Sequence, residues 1–132
     1  GCILTPHPGE FKRLVGDWQD DFDKLEKLTT LARRLKSVVI LKGANSAIAL
    51  PDNTIYFNST GNPGMATGGS GDVLTGILLA LLAQGYSTND AAIVGTFVHG
   101  LAGDLASCEM GETSLIASDI VNYLPAAFKR LV

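Results

Sequence analysis

The chain has 132 residues, 46% hydrophobic and only 17% charged, which suits one packed domain and excludes a disordered chain. Ten Lys+Arg stand against thirteen Asp+Glu, a net charge of −3. No basic block or aromatic–basic interleaving occurs, so a nucleic-acid partner is not expected. Cys2 and Cys108 form no CxxC pair and have no His at zinc spacing, so they read as free thiols of a reducing compartment. The longest apolar run, Val73 to Ala83, falls short of the roughly 20 residues of a membrane span, and no signal peptide opens the chain. The expectation is a soluble cytoplasmic protein with no membrane partner.

Cys2 to Thr5 reads as the end of a short buried strand with no lead-in before it. It runs into Pro6-His7-Pro8-Gly9-Glu10, where two prolines stiffen the backbone around His7. A rigid loop at the C-terminal end of a strand is a frequent place for ligand contacts in open α/β sheets. The same residues also read as a proline turn whose Glu10 caps a short helix. From Asp17 to Lys36, Trp18, Phe22, Leu25, Leu28, Leu31 and Leu35 recur at spacings of three and four, which predicts an amphipathic helix. Its acidic start and basic end suit the helix dipole. Ser37 to Lys42 is a buried strand. Ser46–Leu50 and Thr54–Asn58, joined by a Pro-Asp-Asn turn, predict a hairpin. The order strand, helix, strand gives a parallel βαβ unit extended by that antiparallel hairpin. Lys42, Gly43, Ala44 and Asn45 then lie at the sheet edge where His7 emerges. Lys42 could pair with phosphate there, or simply end the strand in solvent.

Residues 61–76, GNPGMATGGSGDVLTG, carry six glycines and one acidic residue, Asp72. A glycine-rich loop entering a helix leaves backbone N–H groups pointing at one spot, with the positive end of the dipole behind them. This reads as an anion site with a carboxylate beside it; the plainer reading is a glycine-rich turn with an acidic residue in the first turn of a helix. The following helix, Val73 to Gln84, is apolar on nearly all sides and is expected to be buried, with Gly85 capping it. Ser87 or Thr88 caps the next, which carries Asp90 to Ala106 and is closed by Gly111-Glu112-Thr113. Gly95, Gly100 and Gly103 inside it each cost about 1 kcal/mol in propensity, so close approach of another backbone or a flat ligand is expected there. His99 reads as a hydrogen-bonded core residue, with a pocket wall as the second reading. A last helix starts at Thr113 or Ser118, and Pro125 predicts a kink or break in it.

Taken together, Leu4–Phe11, Val39–Ala44, Asn62–Gly76 and His99–Asp104 resemble one family, the ADP/ATP-dependent NAD(P)H-hydrate dehydratases of the ribokinase superfamily. The resemblance covers nearly the whole chain. It implies a ribokinase-like three-layer α/β sandwich, of which this chain is the C-terminal half: a mainly parallel sheet plus a β-hairpin, flanked by helices. It also implies catalytic activity, namely dehydration of hydrated NADH or NADPH by phosphorylation of the added hydroxyl and elimination of phosphate. Asp72 is then the catalytic group and contacts the substrate together with His7 and Glu10. Lys42, Gly43, Ala44, Asn45, Ser46, Asn62, Thr67, Gly68, Gly69, Ser70 and Gly71 hold ADP or ATP. N–H groups of Gly69, Ser70 and Gly71 stabilise the transferring phosphoryl group. Glu10 matches the acidic residue that sugar kinases of the superfamily place near Mg2+, through water. Those kinases commonly carry Asn where His7 stands, which favours the dehydratase branch. A homo-oligomer, such as a tetramer, is implied as well. The competing readings are a small-molecule kinase with a sugar or vitamin acceptor, and a non-catalytic nucleotide-binding fragment.

Overall fold

The computed structural model describes residues 1–131. Its elements in chain order are β1 (Ile3–Leu4), α1 (Pro8–Val15), α2 (Asp21–Leu35), β2 (Val38–Leu41), β3 (Ala47–Ala49), β4 (Ile55–Phe57), a 3-10 turn at Pro63–Met65, α3 (Ser70–Ala83), α4 (Thr88–Met110) and α5 (Ala117–Lys129). The four strands form one sheet in the order β1-β2-β3-β4. β1 pairs parallel with β2, and β2, β3 and β4 pair antiparallel, so the sheet inside this chain is mixed. The parallel βαβ unit and its hairpin extension are both present.

All four residues of β2 are buried, because the strand alternates its side chains between two cores. Val39 and Leu41 face a core with Phe11, Leu28, Leu31 and Ala32 from α1 and α2. Val38 and Ile40 face another with Leu74, Leu78 and Ala92 from α3 and α4. The result is helix, sheet, helix: the three-layer arrangement. α5 packs outside the sheet, its Ile120 and Ala127 buried against Val98 and Ala102 of α4.

Several local expectations are corrected. The helix expected over Asp17 to Lys36 begins only at Asp21, because Asp20 takes the N-cap and accepts the Asp23 N–H at 2.8 Å. Phe22, placed in its buried stripe, is 86% exposed, and Leu35 is also exposed. Trp18 lies before the helix and meets Phe11 with ring centroids 5.5 Å apart. α3 is not buried all round: Leu74, Ile77, Leu78 and Leu81 face inward, while Leu79 and Leu82 are exposed. Its C-cap is Gln84, with Gly85 following at φ 95°. α4 runs to Met110 with Gly111 as its C-cap, as expected, whereas α5 starts at Ala117 and continues through Pro125 without a break. At 23 residues, α4 is long and apolar enough to cross a membrane. Its Ala91, Ala92, Val98, Ala102 and Ala106 are buried against the rest of the fold, as in the core helix of a globular domain.

Candidate functional site

Two parallel strands deliver the first side chains to one edge. β1 ends at Leu4 and β2 at Leu41, and the Lys42 N–H donates to the Pro6 carbonyl at 3.0 Å, tying the two following loops together. Pro6-His7 and Lys42-Gly43 are therefore neighbours. His7 is the N-cap of α1: its Nδ1 accepts the Glu10 N–H at 3.2 Å, and Glu10 Oε1 accepts the His7 N–H at 3.1 Å. This reciprocal capping box is the turn-and-cap reading of PHPGE. It leaves His7 exposed beside the cleft described next. The His7 N–H holds the Glu10 carboxyl below the usual carboxylate range, helped by the nearby positive charges of Lys42 and Arg13.

A cleft of about 670 Å3 opens between these loops, the glycine-rich loop and α4. Of the residues expected to bind ligand, His7, Lys42, Gly43, Ala44, Ser46, Asn62, Thr67, Ser70 and Gly71 line it. Glu10, Asn45, Gly68, Gly69 and Asp72 do not. Asp72 follows Gly71 in the first turn of α3, and its side chain is exposed. Lys42 Nζ lies 3.3 Å from where a Cβ on Gly71 would stand, so the ammonium rests directly on the helix entrance.

That entrance leaves backbone donors free. Gly69 is the N-cap with φ 88°, a left-handed conformation suited to glycine, and no side chain caps the helix. The Ser70 N–H is spent on the Thr67 carbonyl at 3.3 Å. The N–H groups of Gly69, Gly71 and Asp72 have no acceptor among the described residues. Of the three donors expected from the sequence, two remain available and Asp72 adds another.

The far wall is α4. His99 Nε2 lies 3.0 Å from the Ser70 carbonyl, which fixes Nε2–H as donor, and 3.3 Å from Ser70 Oγ. Burial pushes the imidazole below its ordinary range; the bond to Ser70 opposes this and the nearby Lys42 charge adds to it. His99 is thus both a hydrogen-bonded packing residue and a wall of the cleft. The glycines of α4 admit the loop, as expected of close backbone approach. A Cβ on Gly100 would overlap Thr60 Oγ1 and come within 2.7 Å of the Thr60 carbonyl carbon, and one on Gly103 would overlap the Met65 sulfur.

Residues not expected from the sequence complete the site. Asn58 donates Nδ2 to the Thr60 and Thr96 carbonyls at 3.2 and 3.3 Å, and Thr60 Oγ1 donates to the Phe97 carbonyl at 2.9 Å. Thr96 lines the cleft with its Oγ1 buried and without a partner among the described residues. The placement of Asn58 right after a strand was the available clue; Thr96 left none in an apolar helix. No group of three metal-ligating side chains occurs among the described residues.

Residues 1–126 match the family described as NAD(P)H-hydrate dehydratase. The chain belongs to that family. It is 47% identical over 131 residues to the bifunctional NAD(P)H-hydrate repair enzyme Nnr of Moorella thermoacetica, covering 98% of this chain and 25% of that protein. To the ADP-dependent (S)-NAD(P)H-hydrate dehydratase of Bacillus subtilis it is 37% identical over 130 residues, covering 97% of this chain and 47% of that protein. The crystal structure of the ADP/ATP-dependent NAD(P)H-hydrate dehydratase from Bacillus subtilis, co-crystallised with ATP/Mg2+, superposes with a TM-score of 0.88 at 35% identity, over 98% of this chain and 48% of that one. The chain thus spans about a quarter to a half of the relatives it matches. Within the dehydratase family's ribokinase-like fold, the cleft lies at the sheet edge where the loops after β1 and β2 meet α3.

Proposed function

We propose that this chain, as the C-terminal half of a ribokinase-like domain, carries the nucleotide-binding side of an enzyme that dehydrates hydrated NADH or NADPH. The observation behind this reading is the Lys42 ammonium resting against Gly71 at the α3 entrance, where the N–H groups of Gly69, Gly71 and Asp72 have no acceptor among the described residues. Family membership supplies the reaction class. The cleft's charge and volume fit an adenine nucleotide, with phosphates at the α3 entrance and the loop Lys42–Ser46 along its side.

When bound, ADP or ATP supplies the phosphoryl group that makes the added hydroxyl of the dihydronicotinamide a leaving group. The chain's own residues do the rest. Asp72, exposed at the first turn of α3, accepts the proton of that hydroxyl at a carboxylate oxygen. The N–H groups beside it hold the developing negative charge, and Lys42 neutralises the phosphates. His7, fixed by its capping box, contacts the dinucleotide. Glu10, kept ionised by the same box, would hold Mg2+ through water.

The test is dehydration of hydrated NADH by the complete enzyme containing this chain, with ADP or ATP present. Asp72→Ala is expected to lower kcat by about a hundredfold or more while leaving nucleotide affinity within threefold. A variant that keeps its rate within a few-fold removes Asp72 from the mechanism. Net phosphorylation of a sugar without dehydration would instead establish the kinase reading.

A further inference from the structure

Asp104 lies on α4, half-buried, and makes no ion pair among the described residues. Its two oxygens are committed separately. Oδ2 accepts the Gly61 N–H at 2.9 Å, and Oδ1 accepts Asn62 Nδ2 at 2.9 Å. That second bond fixes which way the Asn62 amide points, so Asn62 Oδ1 accepts the Gly64 N–H at 3.0 Å and caps the 3-10 turn Pro63–Met65. Ser107 Oγ, donating to the Asp104 carbonyl at 2.9 Å, lies 3.4 Å from Asn62 Nδ2. Every hydrogen-bonding atom of the Asn62 side chain is therefore used by the protein, although Asn62 lines the cleft.

The consequence runs along the chain. With the turn capped, Met65 lies on Gly103 and beside Gly61, and the loop continues to Thr67, whose carbonyl receives the Ser70 N–H at the mouth of α3. His99, five residues before Asp104 on the same helix, holds the other end of the loop at Ser70. One helix thus grips the glycine-rich loop at both ends, and Asp104 is the charged grip at its start.

We propose that Asp104 is a positioning residue for the nucleotide site. Its carboxylate clasps Gly61 and Asn62 and so holds loop 61–71 in the shape that presents the Gly69, Gly71 and Asp72 N–H groups to an anion. The affinity part of this proposal rests on the nucleotide reading above; the clasp itself rests only on the hydrogen bonds.

The donor and acceptor pattern provides a specific test. Asp104→Asn turns one oxygen into an NH2 group that faces another donor. Asn62→Asp sets two carboxylates against each other. The double exchange, N62D with D104N, restores complementarity. The carboxylate then at position 62 accepts from the amide NH2 at position 104 and from the Gly64 N–H, and the amide oxygen at position 104 accepts from the Gly61 N–H. The three variants and the unaltered chain are compared by hydrogen–deuterium exchange and by calorimetric titration with ADP. Each single variant is expected to raise amide exchange about tenfold across 61–71, with the sheet unchanged, and to weaken ADP binding about tenfold. The double exchange is expected to recover both within about threefold. Unchanged loop exchange in both single variants overturns the clasp. Failure of a folded double variant to recover does the same. If D104N does not fold, N62D alone against the double exchange decides. If the unaltered chain binds no ADP, the nucleotide reading and the affinity part of this proposal fall together, while the exchange pattern still decides whether the clasp exists.

Discussion

Gly100→Ala puts the fit between α4 and the loop to a quantitative test. In an exposed helix this substitution gains about 1 kcal/mol of propensity. Here the new Cβ would overlap Thr60 Oγ1 and sit 2.7 Å from the Thr60 carbonyl carbon and 2.8 Å from its Cβ, and two of these atoms cannot swing away. Overpacking of this kind costs about 1–3 kcal/mol, and losing the Thr60 Oγ1 bond to the Phe97 carbonyl adds about 1 kcal/mol. Net of the propensity gain, the loss is about 2 kcal/mol. With an unfolding entropy of about 2.1 cal/mol/K per residue over 132 residues, that lowers Tm by about 7 °C. Gly76→Ala is the control. Gly76 is exposed on α3 with nothing within 4 Å of a built Cβ, so the same change should raise Tm by about 3 °C. Thermal melts by circular dichroism read both. A Gly100→Ala variant melting at or above the unaltered chain refutes the close packing of the loop on α4.

Two further predictions concern the cleft wall. Thr96→Val removes a buried hydroxyl that has no partner among the described residues, and is expected to stabilise the chain by about 1 kcal/mol in urea titrations; destabilisation would mean the hydroxyl is satisfied. His99 is held below its ordinary imidazole range chiefly by burial, so the unfolded chain binds the proton first. The stability it contributes is complete above about pH 6.5 and is lost as pH falls through the lowered folded value. His99→Gln, which keeps a donor toward Ser70 but does not titrate, should flatten the fall in urea midpoint between pH 7 and 5; an unchanged slope would assign that fall to other groups.

Much of the fold is legible in the sequence because its signals are local. The β-branched run Val38–Leu41 and the turn between β3 and β4 announce a central strand and a hairpin without reference to the rest of the chain. The glycines at 95, 100 and 103 could be read as contact points because each is unfavourable in a helix unless something lies against it. What could not be read depends on partners distant in sequence. Phe22 fits the helical period of its neighbours, yet Asp20 caps the helix at a position that leaves Phe22 outside the core. The glycine spacing announced a loop entering a helix with free backbone donors, whereas the commitment of the Ser70 N–H to Thr67 depends on how the loop bends. Asp104 stood inside a recognisable segment, but its role needs Gly61 and Asn62 brought beside it across more than forty residues.

In the proposed function, the α3 entrance and Lys42 form one phosphate site. Titrating isotopically labelled chain with ADP and Mg2+, and following backbone amides by NMR, addresses it most directly. The largest shifts are expected at Gly69, Gly71 and Asp72 and along Gly43–Ser46, with Lys42→Met reducing affinity at least tenfold. Shifts confined to another face of the molecule, or an affinity indifferent to Lys42→Met, would contradict it.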